Sequence, residues 1–167
     1  CIRDSANSIL NVARRIADIS RLGNKIVAVV SAMGNSTDNL INLAYEVSTN
    51  PDPREMDVLL STGELVSCTL LAMALRSLGE DAVSLSGSQA GIKTNKQYGK
   101  AMISSIEPKR IVTELEQNRI VIIAGYQGIT ENMDVTTLGR GASDLTAVAI
   151  AARIGSSRCE IYSDVDG

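Results

Sequence analysis

A polar turn at residues 136–144 carries groups that can bind an anion, in the order Thr-Thr-Leu-Gly-Arg-Gly-Ala-Ser-Asp. The guanidinium of Arg140 can hold a phosphate or a carboxylate through two parallel hydrogen bonds. Gly139 and Gly141 flank it, and residues without a Cβ let the backbone approach such a ligand closely. The turn is therefore a candidate anion site, although short glycine-rich segments also form ordinary turns.

The segment that follows, residues 145–154, is apolar on almost every side, which predicts a buried helix that Gly155 ends. The free N–H groups and the dipole of such a helix favour an anion at its N-terminus. Ser143 and Asp144 fall in the first turn, where Asp144 could orient a cation or a metal-bound phosphate. The structural alternative is that Ser143 or Asp144 simply caps the helix.

Glu64 is a second candidate, because it lies inside a long apolar stretch, residues 54–78, that predicts a helix. It closes the quartet Ser61-Thr62-Gly63-Glu64. Glycine inside a helix costs about 1 kcal/mol relative to alanine, so Gly63 predicts a break or a close packing contact. The apolar neighbours favour a carboxylate that points into a pocket. The alternative is a solvated carboxylate on an exposed face, where Glu is usually found.

Hydrophobic periodicity predicts the elements that would position these groups. Helices are expected at residues 5–22, 37–48, 54–78 and 108–117, and strands at residues 25–31, 81–86, 119–124 and 159–162, with weaker strands near Ile92 and Ile103 and a hairpin at residues 129–136. The β-branched run at residues 25–31 is expected to be buried on both faces. Strands that alternate with helices predict an α/β fold, with a mostly parallel sheet and helices on both faces.

Polar loops follow four of the predicted strands, at residues 31–38, 87–91, 125–128 and 163–167. Ligands of open α/β sheets bind beyond the carboxyl ends of the strands, so these loops are expected to meet at one edge. The candidate site residues at that edge are Thr37, Glu64, Tyr126, Gln127, Arg140, Ser143, Asp144, Ser163 and Asp164.

The composition excludes several classes of function. The chain has 167 residues, which fit one domain, and a net charge of 16 − 19 = −3 without a basic run, which argues against nucleic-acid binding. It has no His, so Ser-His triads and most zinc sites are excluded. Cys1, Cys68 and Cys159 lack metal-ligand spacing and are expected as free, buried thiols in a reducing, cytoplasmic setting. No uninterrupted apolar run reaches about 18 residues, so no membrane span or membrane partner is predicted.

The remaining groups suit phosphoryl transfer better than nucleophilic catalysis by the protein. Nucleophilic catalysis needs an activated nucleophile beside a base, whereas phosphoryl transfer needs mainly positioning and charge neutralisation. A carboxylate acceptor is already a nucleophile at neutral pH. The Gly-x-x-x-x-Gly-Lys-Ser/Thr phosphate loop is absent. The turn also fails the Gly-x-Gly-x-x-Gly pattern, because Asp144 stands at the third glycine position.

Six blocks of this sequence resemble the signature set of the aspartate kinases, in that family's order and at its spacings. They are residues 29–38, 56–64, 87–91, 124–128, 136–144 and 161–167. Ser-Thr-Gly-Glu and Gly-Arg-Gly-Ala-Ser-Asp are the blocks more specific to this family, whereas the terminal Asp-Val-Asp-Gly is shared more widely in the amino-acid kinase superfamily. The resemblance implies the three-layer α/β fold of amino-acid kinases and carbamate kinase.

The resemblance also implies ATP-dependent phosphorylation of the side-chain carboxylate of L-aspartate to 4-phospho-L-aspartate, the first step toward lysine, threonine and methionine. Arg140 would bind a carboxylate of aspartate and take part in catalysis, and Glu64 would bind its α-ammonium group. Thr37 and Ser143 would hold substrate or phosphate through hydrogen bonds. Asp144 would organise the catalytic centre.

Further residues receive implied roles toward substrate and nucleotide. Tyr126 and Gln127 would line the substrate site. The nucleotide side would comprise Ser31, Gly139, Gly141, Ser163 and Asp164. ATP would enter with Mg²⁺, which prefers phosphate and water oxygens to an all-protein cage, so no protein metal site is expected.

The resemblance implies that residues 1–167 are part of a catalytic domain. The family's first strand with its lysine, the C-terminal nucleotide part and the regulatory ACT domains are expected outside this chain. The chain alone is therefore expected to have little kinase activity, and the full-length protein is expected to be a homo- or hetero-oligomer. One departure is Ala142, where the family usually has Gly. The alternatives are a kinase of glutamate or N-acetylglutamate, or a non-catalytic regulatory subunit.

Overall fold

The computed structural model describes residues 2–139 and 141–162 of the chain. Helices and strands alternate along much of this part. The elements are α1 (Ile2–Arg21), β1 (Val27–Val30), α2 (Ser36–Val47), α3 (Pro53–Ser77), β2 (Ala82–Leu85), β3 (Ile92–Thr94), β4 (Ile103–Ile106), α4 (Lys109–Glu116), β5 (Ile120–Ala124), β6 (Gln127–Ile129), β7 (Val135–Thr137) and α5 (Ala142–Ile154).

The central sheet is parallel and has the strand order β1-β5-β2. All five residues of β5 are buried, as expected of a middle strand in a parallel sheet. The four residues of β1 are only half-buried. The prediction of a strand buried on both faces was therefore wrong for β1, because it lies at the edge of the described sheet.

Residues 159–162, predicted as a fourth strand, form no strand in the described part of the chain. They pair with neither edge strand of the central sheet. Instead, the ring of Tyr162 lies under the guanidinium of Arg15 on α1, 4.3 Å from the ring centroid. A strand forms through backbone hydrogen bonds to a neighbouring strand, and residues 159–162 make none to the described sheets.

Helices cover both faces of the central sheet, as predicted. On one face α1 and α3 pack against alternate residues of β5, through a cluster that includes Ala13, Ala17, Leu71, Leu75, Ile120 and Ile122. On the other face α4 and α5 pack against the intervening residues, through a cluster that includes Ile111, Val121, Ile123 and Ile150. This arrangement confirms the predicted three-layer α/β fold.

A second sheet has the strand order β4-β3-β6-β7 and mixes parallel and antiparallel pairs. The predicted hairpin near residues 129–136 is the antiparallel pair β6–β7, in which Gly128 lies opposite Thr136. The weak strands predicted near Ile92 and Ile103 are β3 and β4. That these short strands assemble into a separate sheet was not predicted.

The helix α5 begins near the predicted place and ends at Gly155, which has a left-handed φ of 67°. The prediction that it is buried was wrong. Its buried residues are Ala142, Thr146 and Ile150, whereas Leu145 is 57% and Val148 48% exposed. One face of α5 packs on the central sheet, and nothing in the described part of the chain covers the other.

The helix α3 is long and apolar enough, by length and composition, to cross a membrane. However, 56% of its most apolar 18-residue segment is buried inside the structure, where the helix packs against α1 and the central sheet. This is the packing of a core helix.

Candidate functional site

One face of α3 contacts the loops at the carboxyl edge of the central sheet and the second sheet. The helix begins with Pro53 after the cap residue Asp52, whose carboxylate accepts hydrogen bonds from the Arg54 and Glu55 N–H groups at 2.9 and 3.2 Å. The residues that make the loop contacts recur at helical spacing and are Arg54, Asp57, Ser61 and Glu64.

Glu64 is buried, with 4% of the residue exposed, so the alternative of a solvated carboxylate was wrong. Its Oε1 accepts a hydrogen bond of 3.3 Å from the Ala32 N–H group, just after β1. Its Oε2 has no hydrogen-bond partner among the described residues. Burial raises the pKa of Glu64, and the backbone hydrogen bonds oppose that shift only in part. A buried, incompletely paired carboxylate is suited to receive a cationic group.

Gly63 does not break α3, which continues through it to Ser77. Its role is the predicted close packing. A Cβ at Gly63 would lie 3.0 Å from the Cβ of Ala32, so the loop after β1 rests directly on the helix. That close approach brings the Ala32 N–H group within hydrogen-bonding reach of Glu64.

Asp57 is a buried carboxylate that the sequence interpretation gave no role. It is 1% exposed. It accepts hydrogen bonds from the Thr137 N–H group at 2.8 Å, the Thr137 hydroxyl at 2.7 Å and the Gly99 N–H group at 2.9 and 3.0 Å. One feature of the sequence could have pointed to Asp57. It lies seven residues before Glu64, which places the two on the same face of the helix.

Gln127 is buried at the start of β6, and both ends of its amide are engaged. Its Nε2 donates to the Ser61 carbonyl at 2.9 Å, and its Oε1 accepts from the Gly87 N–H group at 3.2 Å. These contacts join α3 to the loop after β2. They support a role in holding the site together, whereas the direct substrate contact assigned to Gln127 stays a prediction.

Tyr126 links β5 to β6 in a left-handed conformation with φ of 64°, which is unusual for a residue other than glycine. Its carbonyl accepts a hydrogen bond of 2.9 Å from Leu138. Its side chain packs on a cluster of Ala101, Leu138 and Ala142. Local strain of this kind is often found at functional sites, and here it lies beside the predicted anion turn.

The N-cap of α5 is Gly141, which has φ of 77° and no side-chain capping bond. The alternative that Ser143 or Asp144 caps the helix was therefore wrong, since both lie inside its first turn. A Cβ at Gly125 would come within 2.8 Å of the Ser143 Oγ. The Ser143 hydroxyl thus lies directly over the end of β5, whereas Asp144 is exposed.

Open space lies in front of both glycines of the anion turn, because a Cβ at Gly139 or Gly141 would meet no described protein atom within 4 Å. Such space is what a ligand at the turn requires. Arg140, Ser163 and Asp164 lie outside the described residues.

Three of the four predicted loops meet at the carboxyl edge of the central sheet. Ala32 contacts Glu64, Gly87 contacts Gln127, and Gly125 contacts Ser143. The fourth loop, residues 163–167, lies outside the described residues. Ser31 is exposed at the end of β1, and Thr37 is half-buried in the first turn of α2. Their proposed ligand contacts stay predictions.

The described cysteines are free, and Cys68 is buried as predicted. The prediction of a buried thiol was wrong for Cys159, which is exposed in a segment that packs into neither apolar cluster of the central sheet. Burial raises the pKa of the Cys68 thiol to about 11, and its Sγ donates to the Ile122 carbonyl at 3.3 Å. Such a thiol is a structural group rather than a nucleophile. Within the described ranges, no three His, Cys, Asp or Glu side chains gather closely enough to hold a metal ion.

A parallel α/β sheet with polar loops converging at its carboxyl edge defines a small-molecule-binding fold. The chain belongs to the amino acid kinase family, whose profile matches residues 1–167. It is 53% identical to the aspartokinase of Geobacillus stearothermophilus over 163 residues, which cover 98% of this chain and 40% of that protein. The chain thus spans about two fifths of the length of the curated relatives it matches.

Solved structures show the same similarity. The aspartate kinase from Synechocystis superposes with a TM-score of 0.81 at 44% identity, over 97% of this chain and 26% of that one. Escherichia coli aspartokinase III, in complex with aspartate and ADP, superposes with a TM-score of 0.67 at 30% identity, over 78% of this chain and 30% of that one.

Proposed function

We propose that this chain forms the aspartate-binding part of an aspartate kinase. The full-length protein would transfer the terminal phosphoryl group of ATP to the side-chain carboxylate of L-aspartate, giving 4-phospho-L-aspartate and ADP. The observation that carries the proposal is Glu64, a buried carboxylate with one oxygen unpaired among the described residues. A buried charge is costly until it is paired, and the α-ammonium group of an amino acid would pair it. Similarity to aspartokinases supports the same substrate.

Aspartate is a zwitterion with a second carboxylate, so its site needs one anion and one cation in fixed places. Glu64 would supply the anion and Arg140 the cation, with two parallel hydrogen bonds to a substrate carboxylate. Ser143 and Thr37 would donate hydrogen bonds to substrate or phosphate. Asp144 would organise the catalytic centre.

Two further residues would complete the substrate side. Tyr126 would line the site, and Gln127 would hold the surrounding loops through its bonds to Ser61 and Gly87. The acceptor carboxylate is ionised at neutral pH, so its attack on the phosphoryl group needs no general base.

The nucleotide side of the site would lie along the anion turn. The open space before Gly139 and Gly141 would admit phosphate oxygens to their N–H groups. Ser31, Ser163 and Asp164 would face the nucleotide. Mg²⁺ would arrive bound mainly to ATP and water, which are the oxygen ligands that it prefers, and would neutralise phosphate charge.

The wider setting follows from the same proposal. The product would feed the synthesis of lysine, threonine and methionine, in a cytoplasmic protein that is a homo- or hetero-oligomer. Because the chain spans about two fifths of its relatives, residues 1–167 alone would have little or no kinase activity.

The test is ADP release by the full-length protein with Mg²⁺ and ATP, offered L-aspartate, L-glutamate and N-acetyl-L-glutamate separately. Turnover with L-aspartate alone is expected. Turnover with a glutamate derivative alone would refute the substrate contacts, and no turnover with any acceptor would favour a regulatory subunit. Turnover by the isolated 167-residue chain equal to that of the full-length protein would refute the proposed inactivity of the fragment.

A further inference from the structure

Asp57 is a buried charged residue to which the proposed reaction assigns no task. Its carboxylate is held by two residues, Thr137 and Gly99, through neutral donors. A buried carboxylate costs free energy unless several donors are fixed around it. The arrangement therefore couples α3, the loop at Gly99 and the end of β7. Moving any one of these three segments would leave the carboxylate or a donor unpaired.

The segment that Asp57 holds leads directly into the anion turn. Thr137 is the last residue of β7, two residues before Gly139. Its carbonyl accepts a hydrogen bond of 3.0 Å from Ala101, and the next residue, Leu138, donates one of 2.9 Å to the Tyr126 carbonyl. The chain therefore enters the turn from a point that is fixed by hydrogen bonds on several sides.

The same helix carries the other half of the proposed substrate site. Asp57 and Glu64 are seven residues apart on α3, so they lie on one face and about 10 Å apart along the helix axis. The helix is unbroken between them. The helix α3 thus carries two groups. Glu64 is proposed to bind the substrate ammonium group, and Asp57 anchors the turn that is proposed to bind a substrate carboxylate.

We infer that Asp57 is a positioning residue that fixes the distance between the ammonium and carboxylate subsites, and thereby selects L-aspartate over the diacid longer by one methylene group. The inference rests on the proposed function for its kinetic consequence. Its structural consequence, that Asp57 fixes the entry to the anion turn, holds whatever the substrate is.

The kinetic test replaces Asp57 by Asn in the full-length protein. Asn keeps the size of the side chain, but its amide group presents N–H donors to the N–H groups of Thr137 or Gly99. The KM for L-aspartate is expected to rise about tenfold while the KM for ATP changes less than about twofold. The preference for L-aspartate over L-glutamate in kcat/KM is expected to fall about fivefold or more.

Glu114→Gln is the matched control. Glu114 is also a buried helical carboxylate, 3% exposed, but it lies on α4 and pairs with Arg119 and Arg110 away from the sheet edge. This variant is expected to lose stability while both KM values and the acceptor preference stay unchanged. A loss of kcat in Asp57→Asn with unchanged KM values and preference would overturn the inference.

Hydrogen exchange provides a readout that needs no activity. In Asp57→Asn the amides of residues 97–101 and 136–139 are expected to exchange faster than in the parent, and in Glu114→Gln they are not. Equal exchange in Asp57→Asn and the parent would overturn the structural part. If the parent does not phosphorylate L-aspartate, the proposed function fails. The hydrogen-exchange comparison still shows whether Asp57 anchors the entry to the anion turn.

Thr137 variants repeat the test if Asp57→Asn does not fold. Thr137→Val keeps the side-chain shape and removes only the hydroxyl bond to Asp57, whereas Thr137→Ser keeps that hydroxyl. Thr137→Val is expected to show the same pattern more weakly, in KM and in exchange, and Thr137→Ser is expected to restore parental values. Identical behaviour of the two variants would refute the anchoring role.

Discussion

At the scale of single residues, the two buried carboxylates on α3 are stabilised in opposite ways. Asp57 accepts hydrogen bonds from three donors, whereas Glu64 accepts one long hydrogen bond, from the Ala32 N–H group, and its Oε2 is unpaired among the described residues. A fully paired carboxylate fixes the structure around it. An incompletely paired buried carboxylate lowers the free energy of unfolding, and a cationic ligand that pairs with it would remove this loss.

Replacing Glu64 by Gln is expected to stabilise the ligand-free protein near neutral pH by about 1 kcal/mol, because it removes a buried, incompletely paired charge. Burial raises the pKa of Glu64, so the folded state holds the proton more tightly than the unfolded chain. The stability linked to that proton is complete below the ordinary pKa of 4.5 and is lost as the pH rises through the folded pKa. Thermal unfolding at several pH values should show the advantage of the variant growing over that range.

The same variant is expected to lose most of its affinity for L-aspartate, measured by calorimetry on the full-length protein. Glu116→Gln, at an exposed position of α4, is the matched control and should change neither stability nor affinity appreciably. Unchanged affinity in Glu64→Gln would contradict the ammonium role, and lower stability near neutral pH would contradict the account of its buried charge.

At the scale of elements, α3 connects most of the site. Its successive turns contact the β6–β7 hairpin through Arg54 and Asp134, β7 through Asp57, β6 through the Ser61 carbonyl, and the loop after β1 through Glu64. A straight helix converts these contacts into fixed distances along its axis. The spacing of these four contacts is therefore set by helix geometry.

Gly63→Ala separates helix stability from site geometry. Alanine favours the helix by about 1 kcal/mol, but its Cβ would press on that of Ala32 at 3.0 Å. The two effects are expected to leave the free energy of unfolding changed by less than about 1 kcal/mol, while displacing the Ala32 N–H group from Glu64 and weakening L-aspartate binding. Denaturant titration and calorimetry measure the two quantities.

Thr62→Ala is the control on the same helix. Thr62 is exposed, so its replacement should add about 0.5 kcal/mol of helix stability without touching Ala32 or the affinity for L-aspartate. If Gly63→Ala and Thr62→Ala both left binding unchanged, close packing at Gly63 would have no part in shaping the site.

The helix α4 is joined to the start of β5 through Glu114, whose Oε2 accepts a hydrogen bond of 2.8 Å from Arg119. Arg119 is the main cause of the lowered pKa of Glu114, and Arg110 adds to it. A lowered carboxyl pKa contributes stability above the unfolded pKa that is lost as the pH falls through the folded pKa. Glu114→Gln is expected to cost about 1–3 kcal/mol near neutral pH, with the difference shrinking in acid. A pH-independent difference in unfolding free energy would contradict this account.

The elements differed in how far the sequence predicted them. Helices and the strand β5 were predictable because their apolar periodicity is long or uninterrupted. The second sheet was not, because its strands have three or four residues and its order depends on contacts between distant segments. Residues 159–162 were predicted as a strand but form none, because a strand also depends on pairing with a neighbour, which the local sequence does not determine.

The site was predictable where a residue conflicted with its surroundings. Glu64 stood out as a carboxylate between apolar turns, and its burial was correctly predicted. Asp57 did not stand out, because an acidic residue near the start of a helix is common and is favoured by the dipole. Its importance depends on Gly99 and Thr137, which are far away in sequence and come close only in the folded chain.

At the scale of the whole molecule, the outer face of α5 contains apolar side chains that nothing in the described residues covers. Leu145 is 57% and Val148 48% exposed. A helix that is apolar on nearly every side is typical of a buried position. The curated relatives are about two and a half times as long as this chain. We expect a segment of the full-length protein outside residues 1–167 to cover this face.

The substitution Leu145→Lys tests whether the apolar face of α5 is covered, by comparing its effect in the 167-residue chain with its effect in the full-length protein. In the 167-residue chain the side chain is already half in water, so stability is expected to change by less than about 0.5 kcal/mol. In the full-length protein a covered Leu145 contributes about 1.5–3 kcal/mol of apolar burial, and the lysine is expected to cost at least that much. Leu22→Lys, at a position 82% exposed, should be neutral in both lengths. Equal effects of Leu145→Lys in the two chains, measured by denaturant unfolding, would show that α5 keeps its apolar face in water throughout.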